Sequence, residues 1–481
     1  MPAWLGAQAL AVLLPLLAAA GVALIPRAEA ASWVVIAASL GTFALTWRLP
    51  GADAGTLMLN DALSAHVSIL TAFVGVSTAW FSRFHMLREL GAGRIDERTM
   101  RQYHALFLAF LGFMLLALLA DNLGVAWVAI EAATIAGVLV VALSRTPGAL
   151  EAAWKYFVLC GVGVAMALFG VIVLYLAALP ATGPGLPAMS WTALAAAAPR
   201  VHAPLLNLAF VFLLVGYGTK AGLAPLHSWL ADAHAEGPTP VSAVLSGSVL
   251  NVALVVILRL RGLLAANPAA MAPGPPIMLL GLLSVLLAAF GLWRRGDIKR
   301  FFALSSIEQN GLVAVAFGLG GSVAVFAGVL HMTLHTLAKA AIYQCVGHAS
   351  QIKASQRLRD IGGLVAGHRL LALTLGAAIV AVAGLPPFGL FTSGFLILTE
   401  AARRAPLLAL PLCLGLLVGI WALLARLIGL LGAPATPDRG PAVPPRALLP
   451  AWLLLAVVLA AGVAMPGPLG AWLHGIGNLY P

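Results

Sequence analysis

Apolar runs about twenty residues long succeed one another along almost the whole chain, with short polar turns between them. At 1.5 Å of rise per residue, about 20 apolar residues carry a helix across the hydrocarbon layer of a bilayer. Such runs predict helices near 3–25, 31–48, 57–82, 103–120, 122–144, 152–178 and 203–236, the last of them broken. A second set is predicted near 240–260, 275–293, 301–319, 322–349, 367–400 (also broken), 405–431 and 447–466. The pattern is that of an all-α polytopic membrane protein with about fourteen transmembrane helices. Residues 179–202, rich in Pro and Ala and containing Trp191, make the longest connection, with room for an interfacial helix.

The seventh run holds VFLLVGYGTKAGLAPLHSWLADAHAEGPTP over residues 211–240, and the rest of the chain is organised around it. Lys220 stands alone in an uncharged apolar stretch, which breaks at Pro225 and continues into His227, Asp232, His234 and Glu236. An ammonium in hydrocarbon costs between about 2.5 and more than 10 kcal/mol, so such a lysine is expected to face a bundle interior. The break frees backbone groups that only a protein-lined or watered cavity can satisfy. A second break echoes it: Ala221-Gly222-Leu223-Ala224-Pro225 in the seventh run is matched by Ala383-Gly384-Leu385-Pro386-Pro387 in the twelfth. Five spans separate them, so the two broken helices run antiparallel, as in inverted repeats that frame a midplane ion site.

Composition narrows the function. The chain is 62% hydrophobic and 9% charged, far below the quarter of charged residues typical of a soluble domain, and no such domain interrupts the series. Its net charge of +11 sits in short turns, which sets topology and excludes nucleic acid as the partner. Arg83, Arg88, Arg94, Arg98 and Arg101 mark the 83–101 loop as cytoplasmic. Alternation then places Arg145, the group from Arg294 to Arg300, the group from Lys353 to Arg359, Arg439 and Arg446 on the same side. Arg259, Arg261, Arg403 and Arg404 are exceptions. Both termini are expected outside a bacterial-type inner membrane. MPAWLGAQAL lacks the basic region of a signal peptide and reads as the start of a retained span. Cys160, Cys345 and Cys413 form no CxxC pair and read as buried small hydrophobes. Gly216-Tyr217-Gly218 followed by Gly222 has the wrong spacing for a dinucleotide fingerprint, and no P-loop occurs. No cofactor, metal or catalytic site is therefore expected in the chain itself.

Several titratable residues lie where hydrocarbon should exclude them. Glu131 in AWVAIEAATIAG is either a hydrogen-bonded structural carboxyl or the partner of Lys220. Opposite charges hold each other ionised while burial drives both towards neutrality, so an arriving proton would shift the balance. His331, His335 and Lys339 recur at four-residue steps, which keeps them on one helix face as a stripe suited to passing protons. No glutamate completes an HExxH motif and no third ligand accompanies the histidines, which argues against a metal. Glu308 and Gln309 in LSSIEQNG have a structural or a functional role. His227, Asp232, His234 and Glu236 form either an intake funnel or a solvated turn.

At GYGTKAGLAPLHSWLADAHAEGPTPVSAVLSG, DIKRFFALSSIEQNG, HTLAKAAIYQCVG and GLPPFGLF the sequence resembles a known family. These are the antiporter-like proton-conducting subunits of respiratory complex I, Mrp-type cation/proton antiporters and group 4 membrane-bound hydrogenases. The resemblance covers roughly residues 60–430, and GYGTKAGLAPLHSWLADAH is most similar to component F of hydrogenase-4 complexes. It implies N-terminal helices in 1–102, inverted five-helix repeats in 103–262 and 275–431, and a last helix in 432–481. It also implies that Glu131 is the family's fifth-helix glutamate, Lys220 its seventh-helix partner, and His331, His335 and Lys339 its central relay. Two positions depart. Asn251 stands where many members have an eighth-helix lysine, and Gly394 near where many have a lysine or glutamate after the twelfth-helix break. Neither side chain titrates near neutral pH, and Glu400, six residues on, points to another side of the helix.

The function expected is that of a membrane subunit moving protons, or sodium ions, within a larger redox complex of membrane and peripheral subunits. Two other readings stay open: a subunit of an Mrp-type antiporter or of inorganic-carbon uptake, and a structural anchor with a degenerate channel.

Overall fold

Helices form wherever the apolar runs lie, because a backbone in hydrocarbon must satisfy its own polar groups. The computed structural model describes residues 6–50, 58–434 and 436–480. The expected starts of the first and third spans, at 3 and 57, lie outside these. In chain order the helices are α1 (Ala7–Leu24), α2 (Ala28–Thr46), α3 (Ala62–Gly91), α4 (Glu97–Leu119), α5 (Leu123–Val141) and α6 (Pro147–Thr182). The broken seventh span comprises α7 (Ala203–Lys220) and α8 (Ser228–Glu236). Then come α9 (Thr239–Ala265), α10 (Gly274–Leu292), α11 (Ile298–Leu319) and α12 (Ser322–Lys353). The broken twelfth span comprises α13 (Arg369–Val382) and α14 (Gly389–Arg404), followed by α15 (Pro406–Gly432), α16 (Leu449–Val463) and α17 (Gly467–Leu479).

Among the described residues, twelve helices are long and apolar enough to cross a membrane, or thirteen if α16 and α17, bent by 80°, make one span. Fourteen is not reached on that measure, because α13 and α14 are only 14 and 16 residues long. The expected 179–202 loop is shorter than its composition suggested. Helix α6 runs on to Thr182, and a short helix, Trp191–Ala197, covers part of the rest.

Side-chain oxygens start many of the helices. Asp61, Asp96, Thr146 and Asp297 each accept a backbone N–H three residues on, satisfying a donor that helix geometry leaves free. Helix α12 is the centre of the bundle, packed against α3, α9, α11, α13, α14, α16 and α17. The LSSIEQNG segment of α11 is buried throughout.

The two breaks share one geometry. Gly222 and Gly384 adopt φ of 70° and 66°, a left-handed conformation open to glycine, and each is followed by a cis X–Pro bond. The Leu223 N–H reaches back to the Gly218 carbonyl (2.9 Å) and the Leu385 N–H to that of Val380 (3.3 Å). Gly222 and Gly384 bond to Thr219 and Ala381, completing the same Schellman cap at both helix ends.

The exceptional arginines are all engaged. Arg259 bonds Asp61 and Ser64, both at 2.7 Å, and Arg261 donates to the Tyr480 carbonyl at 3.3 Å. Arg403 and Arg404 bind Glu400 at 3.0 and 2.9 Å, and Arg404 also caps the Gly320 carbonyl.

Candidate functional site

Lys220 is the last residue of α7, two residues before the left-handed Gly222, so the break places its side chain inside the bundle. It is 2% exposed. Its ammonium lies 5.1 Å from the Tyr156 ring centroid and 5.7 Å from that of Trp229, and these two rings stack at 4.5 Å. The electron-rich faces partly offset the charge. The Cys160 thiol lies alongside, and the Glu131 carboxylate acts on the ammonium from α5. No ion pair joins Lys220 to Glu131, and Glu131 Oε2 is buried without a hydrogen-bond partner.

The groups freed at the break are taken up by neighbours. Trp229 Nε1 donates to the Thr219 carbonyl at 2.9 Å, the Ala224 N–H donates to Ser284 Oγ at 2.8 Å, and Asn310 Nδ2 reaches the Ala221 carbonyl at 3.4 Å. Trp229, Tyr156 and Cys160 did not stand out in the sequence. Their only signal was an aromatic or thiol in an apolar run, which describes many lipid-facing residues equally well.

A second cluster lies on α12. Lys339 donates to the Phe302 carbonyl at 2.7 Å and to the Ser305 hydroxyl on α11. His335 is buried with neither ring nitrogen partnered, and its ring is parallel to within 13° of His331, with centroids 6.4 Å apart. His331 pairs through Nε2 with Gln309 Oε1 (2.8 Å) and through Nδ1 with Ser393 Oγ (2.9 Å). The amide oxygen can only accept, so Nε2 carries a proton. The Ser393 hydroxyl can donate to Nδ1, or turn to the Leu390 carbonyl at 3.1 Å if Nδ1 is protonated. Both protonation states of His331 are thus accommodated. Among the described residues, no hydrogen bond or ion pair links the Lys220 cluster to that of Lys339.

The residues after the break separate. Asp232 pairs with Lys155 and Arg300, both at 3.1 Å, and His227 is half-buried. Glu236 faces Arg300 at 3.6 Å and lines a cavity of about 420 Å³ with His85, Glu89, Arg94, Lys299 and Gln351. His234 differs from a solvated turn: it is buried, stacked on Tyr343 at 4.9 Å, with neither ring nitrogen partnered. Helix α8 packs back against α6 and α11, which removes His234 from solvent.

Glu308 is buried and leaves Oε2 unpartnered, while Glu400 is held by its two arginines. Asn251 donates to Thr336 Oγ1 at 2.8 Å. Beside the loop cavity, Arg94 clasps Glu89, and that contact raises the guanidinium above its usual value. No group of three or more metal-ligating side chains occurs among the described residues.

Known proteins share this chain's sequence pattern and its fold. A family described as NADH:quinone oxidoreductase/Mrp antiporter, TM, matches residues 120–418. A hydrogenase-4 component F homolog of Methylacidiphilum infernorum (isolate V4) is 48% identical over 420 residues, covering 87% of each chain. A chain of the membrane-bound sulfane sulfur reductase, an archaeal respiratory membrane complex, superposes with a TM-score of 0.85 at 22% identity, covering 98% of this chain and 97% of that one. One from the Mrp complex of Dietzia sp. DQ12-45-1b gives 0.79 at 19% identity, with the same coverage. At such identities the structural likeness concerns the fold.

Proposed function

Because the chain belongs to the NADH:quinone oxidoreductase/Mrp antiporter membrane-subunit family, we propose that it moves protons within a redox-driven complex, in concert with other membrane and peripheral subunits. The observation that carries this is Lys220, an ammonium 2% exposed, set beside the Cys160 thiol and acted on by the Glu131 carboxylate without an ion pair. Opposite charges hold each other ionised while burial drives both towards neutrality, so a nearby charge shifts the balance between them. Electron transfer in a partner subunit would supply that change of field.

In this reading His331, His335 and Lys339 pass the proton along α12. His335, with two unpartnered nitrogens, accepts on one and releases from the other through water. The cavity lined by Glu236 and Lys299 serves as the intake on the arginine-rich side, with His234 between it and Lys339. Asp232 and Glu400 stay outside the path, since their carboxylates are already paired. The setting is a bacterial-type inner membrane with the arginine-rich loops inside, and the two broken spans belong to inverted five-helix repeats.

The test is proton uptake by liposomes holding the native complex, driven by a potassium diffusion potential. Lys220→Ala and Glu131→Gln are each expected to abolish uptake. Removing one partner of a buried pair costs about 3–5 kcal/mol, so subunit content is measured in parallel. Full uptake by a well-assembled Lys220→Ala complex would refute the proposal.

A further inference from the structure

Aligning the two breaks on their shared Ala-Gly-Leu puts Val382 where Lys220 stands. Beside Val382 a cavity of about 160 Å³ opens, bounded also by Glu308 and Gln309 of α11, His331 of α12, Gly394 of α14 and Cys413 of α15. Glu308 is 1% exposed, and its Oε2 has no partner among the described residues. Gly419 on α15 makes room for the carboxyl, since a Cβ there would collide with it. Each half of the chain therefore sets a carboxylate within the bundle near a broken helix, that of Glu308 being the more deeply buried. In the first half the helix ends on an ammonium, and in the second on an isopropyl group.

That substitution changes what the carboxylate can do. A buried carboxylate that no close ion pair neutralises pays a desolvation cost, which protonation removes, and the cation that acts on Glu308 is Lys339, whose ammonium is bonded to Phe302 and Ser305. The titratable groups around it are His331 and Lys339 on α12 and Cys413 on α15, while α13 and α14 line the cavity with uncharged residues. A hard metal cation fits poorly, because it needs about six oxygen ligands. The cavity wall is chiefly leucine, valine and phenylalanine, and Gln309 Oε1 is already bonded to His331. Water occupies roughly 30 Å³ per molecule in the liquid, so the cavity has room for a short chain.

We propose that Glu308 is a proton-carrying site, the second half's counterpart of the Glu131–Lys220 pair, with no lysine at the helix break itself. A proton passing from the His331 imidazolium through cavity water leaves a neutral imidazole and a neutral carboxylic acid. The acid gives it up when the relay next moves. Position 394 then needs no titratable residue, because its glycine supplies space. This inference rests on the proton-moving reading above.

The native complex in liposomes, with proton uptake driven by a valinomycin–potassium potential and followed by internal pyranine, tests it. Glu308→Gln is expected to lower uptake at least tenfold. Gly394→Leu is expected to lower it too, by filling the cavity without removing a titratable group; a Cβ at 394 meets no atom within 4 Å, so the variant should fold. Val382→Lys should act likewise, by holding Glu308 ionised. Infrared difference spectra give a second readout: a carboxylic-acid C=O band that titrates in the native complex should vanish in Glu308→Gln and persist in Glu131→Gln. Undiminished uptake in Glu308→Gln, or a band that survives it, overturns the inference. If Lys220→Ala abolishes uptake while Glu308→Gln does not, only this inference falls. If Lys220→Ala leaves uptake intact, the relay reading fails, and the infrared band still decides whether Glu308 carries a proton.

Discussion

Lys339 shows how much a single side chain does here. Its ammonium bonds the Phe302 carbonyl and the Ser305 hydroxyl, which ties α12 to α11 while leaving a group that can exchange a proton. A structural and a chemical role are separable by substitution. Lys339→Ala removes both, whereas Lys339→His keeps a group that titrates near neutral pH. Proton uptake is expected to fall at least tenfold further in Lys339→Ala than in Lys339→His, a difference of about 1.4 kcal/mol in the barrier. Equal losses in liposomes would mean that Lys339 acts through packing. The neighbouring His335 has both nitrogens unpartnered, so in the proposed relay a proton reaches it through water.

In the proposed function the breaks matter most among the elements, because they turn helix ends into the bundle, beside Lys220 in one case and Glu308 in the other. Both depend on a glycine in the left-handed region. At Gly384 an added Cβ meets no atom within 4 Å, so Gly384→Ala isolates the backbone term, roughly 1–2 kcal/mol. At Gly222 the same Cβ would also stand 3.2 Å from Leu230 Cδ2, so Gly222→Ala should cost more. Thermal denaturation of the purified complex is expected to rank native, Gly384→Ala and Gly222→Ala in that order of decreasing stability. Equal losses from the two variants would show that the Leu230 contact relaxes freely. Transport should suffer most in Gly222→Ala, since Lys220 lies two residues before that cap.

Across the whole molecule the charges gather at two ends. Arg94, Glu236, Lys299 and Gln351 meet around one cavity, while Asp61, Arg259 and Tyr480 meet around another of about 530 Å³. At the second end Arg259 holds α3 to α9 and lies 5.7 Å from the Trp191 ring. Asp61→Asn leaves that guanidinium buried and unpaired, which is expected to cost about 3 kcal/mol. That is the lower end of the usual range, because the Asp61 side chain is 27% exposed. Replacing both residues with apolar ones should cost much less. Chemical denaturation of the purified complex measures both, and equal losses in the single and double variants would mean the pair contributes little by itself.

The sequence by itself determined the membrane class, most of the helices, both breaks and the buried titratable residues. These are local properties: each span must satisfy its own backbone, and each charge in hydrocarbon is conspicuous against an apolar run. The resemblance of a few motifs located the family as well. Only the tertiary structure decided which groups meet. Tyr156, Cys160 and Trp229 look like ordinary apolar residues until α6 and α8 bring them to Lys220. Arg259 and Arg404 break the charge pattern until Asp61 and Glu400 are found beside them, and Gly394 is a missing side chain until it is seen to border a cavity. His234 left the solvated turn its neighbours suggested because α8 folds back into the bundle. Lipid is as apolar as a leucine core, so hydrophobicity drives helices into the membrane without choosing their partners. That choice is made by close packing and paired polar groups between residues far apart in the chain.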